Sequence, residues 1–132
     1  MKIISFAWTT PALRAGRKTV TRRHWDPKYA LRFHQGDRVL AYDRSPCIGG
    51  RPVAEIELTA DPTWEANAAM PDSDYEAEGY AYMHEQAQLP RALPQDIASP
   101  ELFRAWQRGG EWNWVVRFKL IRLIGDEEKG GR

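Results

Sequence analysis

A single cysteine, Cys47, stands in this chain of 132 residues. That excludes an internal disulfide and any multi-cysteine zinc site. The three histidines, His24, His34 and His84, are scattered, and no pair has metal-ligand spacing. Neither a metal nor a cofactor is expected. No apolar run approaches the roughly 20 residues of a membrane span, and residues 1–18 lack the apolar stretch of a secretion signal. The expectation is a cytoplasmic protein with no membrane partner. Net charge is nearly absent as well, at +1. Strong non-specific nucleic-acid binding needs many phosphate contacts, so the small total argues against it.

The small total hides an asymmetry. Residues 1–51 carry a balance of +8, residues 52–101 one of −10, and residues 102–132 one of +3. Either the opposed blocks pair across the fold, or the first third makes a basic surface for a phosphate-bearing ligand. Six Trp, five Tyr and four Phe load the chain with aromatics, and most are expected in a core. Hydrophobic residues at 42% and charged residues at 28% are globular values. The length suits one domain over residues 1–124, with residues 125–132 as a flexible tail.

The chain alternates short strands with short helices. Ile3, Ile4 and Phe6 mark a first strand. Thr9-Thr10-Pro11 reads as a hydroxyl cap followed by proline in the first turn, and Gly16 stands where a glycine ends a helix. Residues 18–23 are β-prone through Thr19, Val20 and Thr21. A short helix or turn over 25–36 precedes two strands, 38–43 and 51–59, that read as a hairpin. Pro62 and Pro71 bracket a loop carrying Trp64. Asp72-Ser73-Asp74 reads as the cap of a helix from Tyr75 to Gln86, and the proline-rich stretch 88–100 as an irregular connection. Ser99-Pro100 opens a helix with Leu102, Phe103 and Trp106 on its apolar face, which Gly109-Gly110 ends. Trp112, Trp114, Val116, Phe118 and Leu120 alternate with a period of two, the clearest strand signal in the chain, with both tryptophans in the core or at its edge. The expected class is α+β.

One segment concentrates chemistry. Residues 16–23 hold four basic side chains and two hydroxyls. Lys18 and Thr21 are three apart, so on a regular strand they face opposite sides. They share a cleft only if Lys18 lies in the turn or a bulge intervenes. Thr21 and Arg23, two apart, share a face. A lysine amine acts as a base when neutral, and neighbouring cations with partial burial push its pKa down. A threonine hydroxyl beside it becomes a nucleophile toward a carbonyl. The acidic stretch 74–78 is the natural source of a partnering carboxylate. The alternative is a solvated basic strand.

The pattern Gly16-x-Lys18-x-x-Thr21-x-Arg23 resembles the signature of ASCH domains, a branch of the PUA-like superfamily, in which Gly-x-Lys-x-x-Glu-x-Arg spans the end of a first helix and the next strand. This chain carries Thr21 where many members have Glu. Small bacterial ASCH amidohydrolases that remove the acetyl group from N4-acetylcytidine share that departure, and residues 15–21 look like theirs in order and spacing. The resemblance implies a PUA-like mixed β-barrel with short flanking helices, and catalysis by a Lys, a Thr and a Glu. Lys18 falls on the base and Thr21 on the nucleophile. Glu78 is the matching acid, with Glu76 its rival. Arg23 then holds an oxyanion or a phosphate, or serves as a structural partner to an acid. Gly16, Trp8, Tyr42 and Arg44 complete the expected substrate-binding set: Trp8 as a stacking wall or a core residue, Tyr42 and Arg44 at the cleft rim. The partner is a small nucleoside or single-stranded RNA. The other functions open to such a domain are a non-catalytic RNA-binding module and an ASCH ribonuclease.

Overall fold

The computed structural model describes residues 1–86 and 97–125. Most of the stretch read as an irregular connection, and nearly all of the expected tail, lie outside the described residues. Six strands form one sheet: β1 (Lys2–Ser5), β2 (Val20–Arg23), β3 (Arg38–Tyr42), β4 (Pro52–Leu58), β5 (Thr63–Ala66) and β6 (Trp112–Leu123). Their order is β1-β3-β4-β6-β2, with β5 also paired to β6. The β1–β3 pair is parallel and the others are antiparallel, so the sheet is mixed. The register shifts between Ala41 and Tyr42, and again between Glu55 and Ile56. Such irregularities bend strands and increase twist, and the sheet curls into a half-barrel. The expected α+β class holds.

Five short helices flank the sheet: α1 (Thr10–Arg14), α2 (Pro27–Ala30), α3 (Asp74–Ala77), α4 (Tyr80–Gln86) and α5 (Pro100–Arg108). None of the described helices is long and apolar enough to cross a membrane. The core lies inside the curl, where Ile4, Phe6, Leu13, Val39, Ile56, Val116 and Phe118 are buried together. A second cluster joins Ala12, Met83 and Ala98, with Trp8 and Tyr80 against it.

Several local expectations need correction. Thr9 and Thr10 do not cap α1; their hydroxyls donate backward to the carbonyls of Phe6 and Ala7, at 3.0 and 2.6 Å. The helix expected over 75–86 is two helices, broken at Gly79, whose φ is +89°. A Cβ there would stand 2.6 Å from Ala12 Cβ, so close approach of α1 demands glycine. Asp74 does not serve as a cap because its carboxylate is engaged by arginines. The segment around Trp64 is a strand, β5, because β6 extends far enough to pair with it, Trp64 opposite Trp114. Trp112 is half exposed and Leu102 is exposed, while Phe103 on the same helix is buried.

The charge blocks pair. Arg17 makes a bidentate bond to Glu76 at 2.6 and 2.8 Å, Arg38 meets Glu55 and Glu57, and Lys18 and Arg22 meet carboxylates of α3 and its end. The basic first third is thus largely matched by the acidic middle.

Candidate functional site

Gly16 sets the geometry at one end. Its φ of +75° ends α1, and the amides of Arg17 and Lys18 then both donate to Ala12 O, at 3.0 and 3.2 Å. Lys18 therefore lies in the turn, before β2 begins. This resolves the three-residue spacing: Lys18 turns inward from the loop, Thr21 from the strand, and both line one hollow. Lys18 is 2% exposed, Thr21 4% and Glu78 2%. Glu78 caps the C-terminal end of α3, and Glu76 points elsewhere, to Arg17.

The hollow encloses about 260 Å³. With about 30 Å³ for each water in the liquid, it has room for a ring-sized ligand. Phe6, Trp8, Tyr80 and Trp106 supply aromatic walls. Trp8 and Tyr80 stack with centroids 5.2 Å apart, and Tyr80 leans on Trp106 at 5.7 Å. Ala7, also on the wall, has φ of +51°, a conformation that costs a non-glycine residue energy and is frequent at ligand sites.

Lys18 Nζ donates to Glu78 O at 2.7 Å and to Glu78 Oε1 at 3.2 Å. The other carboxylate oxygen of Glu78 accepts from Arg22 Nη1 at 2.8 Å. Arg22 Nη2 reaches Asp74 at 2.6 Å, and Arg117 holds the same Asp74 at 3.0 and 3.1 Å. Lys18, Glu78, Arg22, Asp74 and Arg117 form one chain of alternating sign. Burial pushes the Lys18 amine below its ordinary pKa; Glu78 opposes this, and Arg23 and Arg22 add to it. Burial works against the charge on Arg22 too, but Glu78 and Asp74 outweigh it and the pKa ends raised.

Thr21 Oγ1 accepts from Arg23 Nε at 3.0 Å, which leaves its own proton free to move. Arg23 also donates from Nη2 to Ser5 O at 2.6 Å. Burial lowers its pKa, opposed chiefly by Glu78. A buried amine with a lowered pKa, an oriented hydroxyl and nearby cations are the ingredients of proton-assisted attack on a polarised carbonyl.

Of the expected substrate-binding residues, Trp8 and Arg23 line the hollow with the three catalytic candidates. Gly16, Tyr42 and Arg44 do not. Gly16 shapes the turn, and a Cβ on it would meet Leu120. Tyr42 ends β3, where its carbonyl accepts from Phe6 N at 2.9 Å. Arg44 folds over its own hairpin loop, against Gly49 and Gly50. Sequence reasoning reaches Arg22 only as a cation beside Lys18, and misses Tyr80 and Trp106 as walls. Arg22 alternates with Thr21 and Arg23 along β2, and only the approach of α3 gives it partners on the site. Among the described residues, no group of three or more His, Cys, Asp or Glu is placed to hold a metal.

No protein-family model matches the chain, and no curated protein does. Protein EF3133 from Enterococcus faecalis V583 is similar in structure, at 20% identity and a TM-score of 0.50, over 89% of this chain and 69% of that one. The ASCH protein of Zymomonas mobilis matches over 98% of this chain and 77% of its own, at 18% identity and a TM-score of 0.46. A point mutant of that protein matches at 17% identity, 79% of its length and a TM-score of 0.48. The likeness to EF3133 is one of fold.

Proposed function

We propose that the hollow is the active site of an amidohydrolase that removes an acyl group from a modified nucleoside such as N4-acetylcytidine. Thr21 Oγ attacks the acyl carbonyl carbon, and its proton passes to the neutral Lys18 amine. Arg23, already bonded to Thr21 Oγ1, steadies the developing oxyanion. The C–N bond then breaks as Lys18 returns the proton to the exocyclic nitrogen, so cytidine leaves and the acyl group stays on Thr21. Water, deprotonated by Lys18, attacks that ester, and the acid is released as Thr21 regains its proton. Glu78 orients the amine throughout.

One observation carries the reading: a buried lysine and a buried threonine three residues apart line one hollow beside a carboxylate. The aromatic walls suit a flat base. An RNA-binding module is the other reading, and the pairing of Arg17, Lys18, Arg22 and Arg38 with carboxylates gives it less support.

The test is acetate release from N4-acetylcytidine by purified protein. Thr21→Ala and Lys18→Met are each expected to cut kcat/KM by at least about 100-fold. Wild-type activity is expected to rise with pH through the Lys18 pKa, since the neutral amine is the base. Wild-type protein that releases no acetate at high enzyme concentration refutes the proposal.

A further inference from the structure

A free nucleoside leaves two features without a task. The first is the Nη1 corner of Arg23, whose Nε the reaction already uses at Thr21. Arg23 is half-buried, and among the described residues no carboxylate stands within ion-pair distance of it; its bonds go to the Thr21 hydroxyl and the Ser5 carbonyl. Among the described residues Nη1 has no protein acceptor, and it is not sealed from solvent. A partly desolvated guanidinium whose nearest carboxylate, Glu78, acts on it only from a distance favours a further anion at its open corner.

The second is a tryptophan face beside it. Directly paired residues share a sheet face. Arg23 pairs with Trp114, and Trp114 with Trp64, so these three lie side by side across β2, β6 and β5. Trp25, two residues past Arg23, joins Pro27, Trp64 and Trp114 around a second hollow of about 250 Å³. Trp64 and Trp112 stack with centroids 6.1 Å apart and are 51% and 50% exposed. Large aromatics held in water as a pair mark a contact surface. Of the carboxylates nearest in sequence, Asp26 caps α2, and Glu65, on the opposite face of β5, accepts from Thr63; Glu111, beside Trp112, is exposed. Arg23 thus stands between the two hollows, and Trp64 lies two strand spacings away, roughly 10 Å.

We propose that the substrate is a nucleotide within a single strand: the acylated base enters the Lys18–Thr21 hollow, the adjoining phosphate sits on Arg23, and the next base stacks on Trp64 and Trp112. The proposal rests on the nucleoside reading for what fills the first hollow.

The test is tryptophan-fluorescence titration of the full chain with unacylated probes, cytidine and the ribotrinucleotide of cytidine. The trinucleotide is expected to bind at least tenfold more tightly. Its log affinity is expected to fall with log salt by about 0.7 per phosphate engaged. Trp64→Ala is expected to reduce the preference for the trinucleotide by roughly 5- to 150-fold, the range of one base–aromatic stack. Trp64→Tyr, which keeps an aromatic face, retains most of it. Equal affinity for the two probes, or a preference that survives Trp64→Ala, overturns the proposal. So does a dimer in sedimentation that Trp64→Ala abolishes, with no preference for the strand. Strand binding without acetate release from an acylated strand retires the reaction and keeps this subsite. Acetate release with no gain in kcat/KM from the strand does the reverse.

Discussion

Replacing Glu78 by Gln removes one negative charge without changing the shape of the side chain. In the folded protein that carboxylate lies 3.2 Å from Lys18 Nζ and 2.8 Å from Arg22 Nη1, with the side chain 3% exposed. Its loss leaves Lys18 with no carboxylate in contact and Arg22 with Asp74 alone. Breaking a buried pair by neutralising one partner costs about 3–5 kcal/mol. In a domain of this size that lowers Tm by roughly 10–20 °C. The loss also depends on pH. Lys18 has its pKa lowered in the folded state, so the folded form binds fewer protons than the unfolded one between that pKa and the ordinary 10.5. In that window stability rises with pH, by at most about 1.4 kcal/mol per pH unit. Below it the penalty is present in full. Without Glu78 the one strong pull toward the charged amine is gone, and the window opens at lower pH. Urea melts of both proteins from pH 7 to 10 are expected to show the variant's deficit shrinking as pH rises. Adding Lys18→Met to Glu78→Gln is expected to recover part of the loss, with a coupling of about 0.5–3 kcal/mol. A variant as stable as wild type at pH 7, or two pH profiles that run parallel, refutes the reasoning.

Gly79→Ala is expected to cost more than about 2 kcal/mol, because it combines a left-handed backbone with a Cβ 2.6 Å from Ala12 Cβ; thermal melts measure it. Tyr75→Phe removes the 2.7 Å bond from the hydroxyl to Ala98 O, which ties α3 to the approach to α5. It is expected to cost about 1 kcal/mol by urea melts.

Much of the fold was legible because its signals are local. Gly16 ends a helix, Ser99 caps one with a bond from Leu102 N at 3.2 Å, and the alternation from Trp112 onward is a strand. What was hidden depends on residues far along the chain. Trp64 lies in a strand because Trp114, fifty positions on, offers it a partner. The break at Gly79 follows from how closely α1 approaches, which no pattern in residues 75–86 records. The candidate site divides the same way. Lys18, Thr21 and Arg23 stand in one motif, but the acidic stretch leaves Glu78 and Glu76 both open, because the register between motif and helix is not fixed by sequence. Arg17 takes Glu76, leaving Glu78 for Lys18, and this sorting appears only when the helix is set against the turn. Tyr42 and Arg44 fit a rim only if the end of β3 borders the hollow, and the hairpin loop carries Arg44 away from it.

The twelve residues of β6 follow every other strand in sequence, and among the described residues they give β2 and β5 their sole strand partner while also pairing with β4. Thr21 and Arg23 therefore have no ladder to fix them until that final segment arrives. A nascent chain still missing it would carry every group of the hollow and lack the hollow itself. Assembly must close a loop of about ninety residues between β2 and its neighbour, the kind of distant pairing that slows folding. The hollow would form in one step, when β6 pairs.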